Sequence, residues 1–231
     1  SQAAVDAQGV ATLTLDRPAT RNAFDDEMLE ALAEALARAG ADAAVRCVVL
    51  RSSHDKVFSA GGNLKAMAAA ESPLDKHARN GRLPELMQAL MTLRVPVLCA
   101  LGGHALAGAF GLAMACDLVI AKEGARVGTP EIGVGVFPFM VSALLQRHVP
   151  RKRLAELVYL GDPMTVEEAR ELGFVNRVVP AAQFEAAVAT WAQRLAAQSP
   201  AMVALGKRAL HQQQDLPLAQ AFELLQHYLT L

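Results

Sequence analysis

The chain has 231 residues, of which 53% are apolar and 19% charged, and its net charge is −1. That is enough for one large domain, or a domain with an appendage, around a substantial core, and it fits a soluble globular protein. A charge this close to zero carries no footprint for nucleic acid or an anionic membrane, so neither is expected as a partner.

In chain order, "VATLTLDRP" alternates apolar and polar residues and stops at Pro18, predicting a half-buried strand that ends in a loop. "FDDEMLEALAEALARAGAD" follows as a helix: acidic residues crowd its start, Met28, Leu29, Leu32 and Leu36 recur at helical spacing, and Gly40 is expected to close it. "CVVLRSS" is a short continuous apolar run, as expected of a strand covered on both faces. The order then returns with "VPVLCAL" as strand, "GAFGLAMAC" as helix, "DLVIA" as strand and "ARVGTPEIGVG" as an extended, turning piece. Strands alternating with helices predict an α/β class with a largely parallel sheet.

No charged residue lies between Arg94 and Asp117, but Pro96, four glycines and His104 interrupt the stretch and no basic flank orients it. It is read as a buried strand and helix, not a membrane span. From Pro138 onward helical patterns dominate, with one short strand, "VNRVVP". A soft boundary near Pro180 divides a core, residues 1–180, from a helical C-terminal region, residues 181–231.

Cys47, Cys99 and Cys116 each sit inside apolar runs and are odd in number, as expected of buried free thiols and not of a disulfide framework. A reducing, cytoplasmic compartment follows. No basic segment leading into an apolar run opens the chain, so no secretory signal is read.

Two stretches leave the backbone bare: "FSAGGNL", where a strand runs into small residues, and "GGHALAGAFG". Nucleotide chemistry does not explain them, because no G-x-G-x-x-G occurs and the Gly206–Lys207 pair lacks the earlier glycine of a phosphate loop. There is no G-x-S-x-G elbow, and the cysteines and histidines lack metal-ligand spacing. His104 reads as a hydrogen-bonded residue of a tight turn.

Taken together and in order, "DRPATRNAF", "FSAGGNLKAM", "GGHALAGAFGLAMACDLVIA", "GTPEIGVG" and "EEARELGFVNRVVP" resemble the enoyl-CoA hydratase/isomerase family, also called the crotonase family. The resemblance covers nearly the whole chain. It implies an α/β fold, a crotonase-like spiral of strand-strand-helix repeats with a helical C-terminal trimerisation region, assembled as a homotrimer or a dimer of trimers. It also implies a further short helical segment after "LAQAFELLQHYLTL". The substrate implied is an acyl-CoA thioester, coenzyme A arriving as part of the substrate, with no metal or redox cofactor.

The resemblance gives the bare stretches a purpose. When a thioester carbonyl becomes an enolate, charge gathers on oxygen, and fixed backbone N–H groups in a water-poor site hold it. By position in the motifs, Gly62 and Gly108 supply the two donors, and the helix opening at Gly108 adds its dipole. Small residues let the substrate reach the main chain, although glycines also serve turns and tight packing. Asn63 stands where the family usually has Asp, and either residue caps the following helix. CoA recognition is implied for the backbone of Ala23 and Ala60 near the adenine. Arg21 is read either as a phosphate partner or as a solvated loop charge.

Glu131 matches one catalytic glutamate of the family; between Pro130 and Gly133 a buried carboxylate would hold protons more tightly, as suits a base working at carbon. A helix-entry or salt-bridged glutamate is the plainer alternative. Gly111 stands where two-glutamate hydratases carry their other glutamate, and Asp117 is expected to face elsewhere as a helix-end residue. Phe137, Phe139 and Met140 are read as lining the acyl pocket or as core.

The expected function is acyl-CoA proton-transfer chemistry, with hydration of a 2-enoyl-CoA narrowly preferred and a single-glutamate Δ3,Δ2-enoyl-CoA isomerase close behind. Decarboxylation and thioester hydrolysis also occur in the family. The alternative of another class is a non-catalytic acyl-CoA binder.

Overall fold

The structure, a computed structural model, describes residues 2–62 and 72–230. The helix cap expected of Asn63 therefore lies outside the described residues.

Two sheets organise the chain. The larger has six strands in the order β1 (Gln2–Val5), β2 (Val10–Leu15), β3 (Cys47–Ser52), β5 (Val97–Leu101), β7 (Leu118–Lys122) and β10 (Arg177–Val179). Only the β1–β2 pair is antiparallel. The smaller sheet orders β4 (Val57–Ser59), β6 (His104–Leu106), β8 (Arg126–Gly128) and β9 (Met164–Thr165), the first three parallel. Consecutive strand pairs thus divide between the sheets: β3, β5 and β7 enter the larger one, and β4, β6 and β8 follow into the smaller. With a helix after each pair, this is the expected spiral of strand-strand-helix repeats.

The larger sheet is covered on both faces. Leu13, Leu15, Val48, Leu50, Val97 and Cys99 point into the main core, whereas Val10, Cys47, Val49, Leu98 and Ile120 point the other way. Alternation with both faces buried explains why these strands read as unbroken apolar runs. The second face is closed by the helix Ala181–Ala196 through Phe184, Val188, Ala192 and Ala196. The expected divide at residue 180 falls just before this helix. All three cysteines are free and buried, and burial pushes the Cys47 thiol up to about 12.

Helix α1 (Asp26–Ala41) forms as its sequence predicts: the Asp25 side chain accepts the Met28 N–H at 2.9 Å, and Met28, Leu29, Leu32, Ala35 and Leu36 turn inward. Its end differs from expectation. Gly40 lies inside the last turn instead of closing it. A β-carbon there would come within 3.0 Å of Leu93 Cδ1, and its carbonyl accepts Arg94 Nε at 2.7 Å, so this glycine serves a close approach.

The remaining helices are α2 (Pro73–Thr92), α3 (Gly108–Met114), α4 (Phe139–Leu145), α5 (Arg151–Tyr159), α6 (Val166–Glu171), α7 (Ala181–Ala196), α8 (Pro200–Gln213) and α9 (Leu218–Thr230). The uncharged stretch after Arg94 is β5, β6 and α3, and no helix among the described residues is long and apolar enough to cross a membrane. Lys207, in the pair set aside as a phosphate loop, is buried on α8. Its ammonium donates to Leu90 O at 2.9 Å, Val95 O at 3.2 Å and Asp117 Oδ2 at 2.5 Å, tying α8 to the ends of α2 and α3. Asp117 also accepts Val97 N–H at 2.7 Å, which holds it away from the glycines of α3, as expected.

Candidate active site

The short parallel strands β4, β6 and β8 lie side by side, and each sheds one of the small-residue or acidic motifs at its carboxyl end. Beyond β4 come Ala60, Gly61 and Gly62; beyond β6, Ala107 and Gly108; beyond β8, Thr129, Pro130 and Glu131. Crevices at the carboxyl ends of parallel strands are where open α/β sheets place their ligands.

The first two segments touch. Gly61 has φ +82°, and a β-carbon on it would lie 2.7 Å from Leu106 O, 2.8 Å from Ala107 Cβ and 3.3 Å from Gly108 N. Only glycine allows this approach, which sets Gly62 beside Gly108. Ala107 itself adopts φ +56°, an uncommon conformation for alanine, and its N–H donates to Gly128 O at 2.8 Å. That bond joins the Gly108 segment to the one that carries Glu131. Gly108 opens α3, so its N–H has no acceptor within the helix. Among the described residues neither it nor the Gly62 N–H donates to another group.

Glu131 lies in the first turn of a short 3-10 helix, Pro130–Val134, behind Thr129, whose hydroxyl is buried and donates to Leu157 O at 3.0 Å. The carboxylate is half-buried. Its Oε2 is fully enclosed and finds no hydrogen-bond partner among the described residues. Burial pushes its pKa above the usual glutamate range, opposed only by its own backbone N–H. A carboxylate in such surroundings is costly as an anion and therefore poised to take a proton. Among the described residues no ion pair holds it, which sets aside the salt-bridged reading, while its place in the first turn of the 3-10 helix is the helix-entry position of the plainer alternative.

Gly111 lies one turn beyond Gly108 on α3. No acid of α3 stands beside it; a β-carbon there would meet Met87 Cε at 2.4 Å and Val141 Cγ2 at 3.1 Å. The "RNAF" loop is drawn to the same place. Ala60 N–H donates to Arg21 O at 3.0 Å and Phe24 N–H to Gly61 O at 2.7 Å, so exposed Arg21, Ala23 and exposed Ala60 are neighbours. Phe137 is partly buried against the core, its ring 5.0 Å from Phe139 and 6.3 Å from Tyr159. Phe139 and Met140 are exposed, and the residue of α4 that reaches Gly111 is Val141. His104 is hydrogen-bonded, as expected, but it opens strand β6 and does not lie in a turn: its Nδ1 accepts Arg126 N–H at 3.0 Å.

Sequence reasoning passed over Asn22. It is fully buried in a left-handed conformation, φ +53°, which Asn tolerates better than most residues. Its Oδ1 accepts Arg17 N–H at 2.6 Å; its Nδ2 donates to Ser52 Oγ at 2.8 Å and Phe58 O at 3.2 Å. Its carbonyl accepts Ser59 Oγ at 2.7 Å, and that hydroxyl accepts Gly61 N–H at 3.1 Å. Asn after a loop arginine was the available signal. Asn22→Ala leaves several buried partners unpaired and is expected to cost about 2–4 kcal/mol of stability, at roughly 1–3 kcal/mol per orphaned group. Thermal and urea unfolding check it, and an unchanged midpoint would show that the hub is dispensable.

Two bare N–H groups and an isolated carboxylate on adjacent strand ends are what the sequence resemblance implies, and the whole chain agrees: a model of the family described as enoyl-CoA hydratase/isomerase matches residues 6–230. The chain belongs to the enoyl-CoA hydratase/isomerase family. Members of this family act on acyl-CoA substrates. Enoyl-CoA hydratase domain-containing protein 3, mitochondrial, of Xenopus laevis is 31% identical over 94% of this chain and 73% of its own length. The 2,3-dehydroadipyl-CoA hydratase of Escherichia coli K12 is 32% identical over 91% of this chain and 82% of its own. Among solved structures, an enoyl-CoA hydratase of Mycobacterium smegmatis superposes with a TM-score of 0.95 at 33% identity, covering 99% of this chain and 89% of that one. The fold is that of the crotonase family, as the resemblance implied.

Proposed function

We propose that this chain catalyses proton transfer on an enoyl-CoA thioester, with Glu131 as the side-chain acid-base and the Gly62 and Gly108 N–H groups holding the enolate oxygen. The observation that carries this is the enclosed Oε2 of Glu131, without a partner among the described residues and joined through β8 and the Ala107–Gly128 bond to the segment that presents Gly108. Glu131 removes a proton from C2 of a 3-enoyl thioester, the electron pair moves onto the carbonyl oxygen, and the same carboxyl returns the proton to C4 as the double bond settles between C2 and C3. No second acid is needed. The apolar surroundings of Gly111 support this double-bond migration over hydration, which requires water held at C3 as well.

Hydration of a 2-enoyl-CoA is the second reading, favoured by relatives whose names are hydratase. Arg21, exposed beside Ala23 and Ala60, would meet the CoA phosphates. Exposed Phe139, Tyr159, Leu160 and Phe222 support self-association, in line with the expected homotrimer.

The test is incubation with a 2-enoyl-CoA and a 3-enoyl-CoA in deuterated water, followed by mass spectrometry. Double-bond migration with no added water is expected, read from the chromatographic shift of the isomer, with deuterium uptake to the extent that the Glu131 carboxyl exchanges with solvent between the two steps. A 3-hydroxyacyl product as the main outcome would favour the second reading. Binding without turnover of either thioester, across chain lengths, would favour the non-catalytic binder.

A further inference from the structure

Two helices meet over the glycines of α3 and decide what can lie beside the Gly108 N–H. Gly108 and Gly111, one turn apart, share a face of α3, and Leu83 and Met87, one turn apart on α2, stand on it. A β-carbon at Gly108 would come within 2.6 Å of Leu83 Cδ2. One at Gly111 would come within 2.4 Å of Met87 Cε and 3.6 Å of its Sδ. Val141 closes on Gly111 from α4, and the Phe24 ring stands 3.8 Å from a β-carbon at Gly108. Met87, Val141 and Phe24 are buried. Pro84 lies between Leu83 and Met87, so α2 lacks one hydrogen bond of its ladder where it approaches α3, and the helix can bend there.

We infer that Met87 is the specificity-determining residue of the site: it fills the room beside Gly111, so that an apolar acyl chain, and no water, lies alongside the oxyanion glycine. The inference rests on the proton-transfer reading of Glu131. On the reading that a thioester oxygen sits on the Gly108 N–H, an acyl chain running along this face of α3 would meet Gly111 about one helical turn, roughly 5 Å, further on. A water held there needs two to four polar partners. Among the described residues the side chains nearest these two glycines are Leu83, Met87, Val141 and Phe24, hydrocarbon and thioether groups that provide none. An unbranched, flexible thioether also adapts to chains of different bend and length, whereas a carboxylate or hydroxyl on the acyl chain would be buried unpaired. Such polar chains are expected to react with kcat/KM lower by roughly 10- to 100-fold than alkyl chains of equal length.

The experiment compares wild type, Gly111→Glu, Met87→Ala and the double variant, each also in a Glu131→Gln background. A straight-chain 2-enoyl-CoA and a 3-enoyl-CoA are supplied in deuterated water, with circular-dichroism melts as the check on folding. Hydration adds the water oxygen to C3 and a proton to C2, so mass separates it from migration. An acid introduced at position 111 is expected to hydrate only when Met87 has been cut back. The ratio of hydrated to migrated product should be at least about tenfold higher in the double variant than in Gly111→Glu alone. Equal hydration by Gly111→Glu alone would overturn the inference, because Met87 would not be what fills the site. A folded double variant that exchanges deuterium through Glu131 without added hydration would overturn it too, leaving the proton-transfer reading intact. Exchange that survives Glu131→Gln would overturn both.

Met87→Leu keeps the bulk with a stiffer side chain and serves if the double variant does not fold. It is expected to lower kcat/KM for the longest chains roughly fivefold more than for the shortest. An equal effect at every chain length would overturn the assignment.

Discussion

Glu131→Gln is expected to lower kcat by about 10²–10⁴-fold, the range that a positioned acid-base contributes, with KM changing little. Gln keeps the shape and cannot take a proton. In the wild-type chain the carboxylate must be ionised to act. Burial holds its pKa above the ordinary glutamate range, so activity should rise with pH through that elevated value and then level off. Stability moves in the opposite direction. Between the ordinary pKa of the unfolded chain and the raised pKa of the folded one, the folded state binds more protons, so unfolding free energy falls as pH rises across that window. Above the raised pKa the curve is flat. Glu131→Gln should abolish the acid limb of the rate profile and remove the Glu131 share of this slope, leaving that of Asp117, whose pKa burial also raises. Rates and denaturant midpoints measured over the same pH series check it. A variant within threefold of wild type would remove Glu131 from the mechanism, and a slope as steep as in wild type would show that its carboxyl is not the one burial perturbs.

Gly61→Ala is expected to be nearly as damaging for a different reason. At φ +82° an L side chain is strained by roughly 1–2 kcal/mol. Its β-carbon would also press on Leu106 O at 2.7 Å and Ala107 Cβ at 2.8 Å. Neither neighbour yields easily. Ala107 is tied to Gly128 O at 2.8 Å, and Gly61 is held from both sides by Phe24 N–H at 2.7 Å and Ser59 Oγ at 3.1 Å. The strain is relieved by moving the Gly62 and Gly108 segments apart, which misplaces an oxyanion donor at a cost of about 2.7–4 kcal/mol, or 10²–10³ in kcat. Overpacking adds roughly 1–3 kcal/mol of lost stability. Gly133→Ala, two residues from Glu131, is the control, because a β-carbon there meets nothing within 4 Å. Steady-state kinetics and melting of both variants test the argument, and a Gly61→Ala enzyme within threefold of wild-type kcat would refute it.

Much of the fold was legible because its signals are local. The stripe of Met28, Leu29, Leu32 and Leu36 and the acidic start of α1 need only near neighbours in the chain, and the continuous runs of β3 and β5 announce strands buried on both faces. Where a residue answers to something remote, the reading failed or fell silent. Gly40 looked like a helix terminator and is instead a seat for Leu93. Lys207 was set aside as no phosphate loop and given no other role, and it is a buried cation between two carbonyls and Asp117. Asn22 drew no attention because its partners, Ser52, Phe58 and Ser59, lie far along the chain.

The candidate site divides along the same line. By itself the sequence determined which chemistry is on offer: ordered motifs with bare glycines, one glutamate in a proline-glycine frame, and no acid at position 111. It also determined the class of fold, since the periods of strands and helices are properties of short windows. Only the tertiary structure decided that these pieces meet. The strands that carry them, β4, β6 and β8, are three residues each, too short for any period to be read, and they exist as strands through pairing with one another. That pairing sets Gly61 against Gly108 and joins Ala107 to the strand before Glu131, whose Oε2 has no partner among the described residues. The identity of the wall was likewise decided by packing, because which side chain fills the room at Gly111 depends on how α2 crosses α3, and a helical pattern does not specify its neighbour.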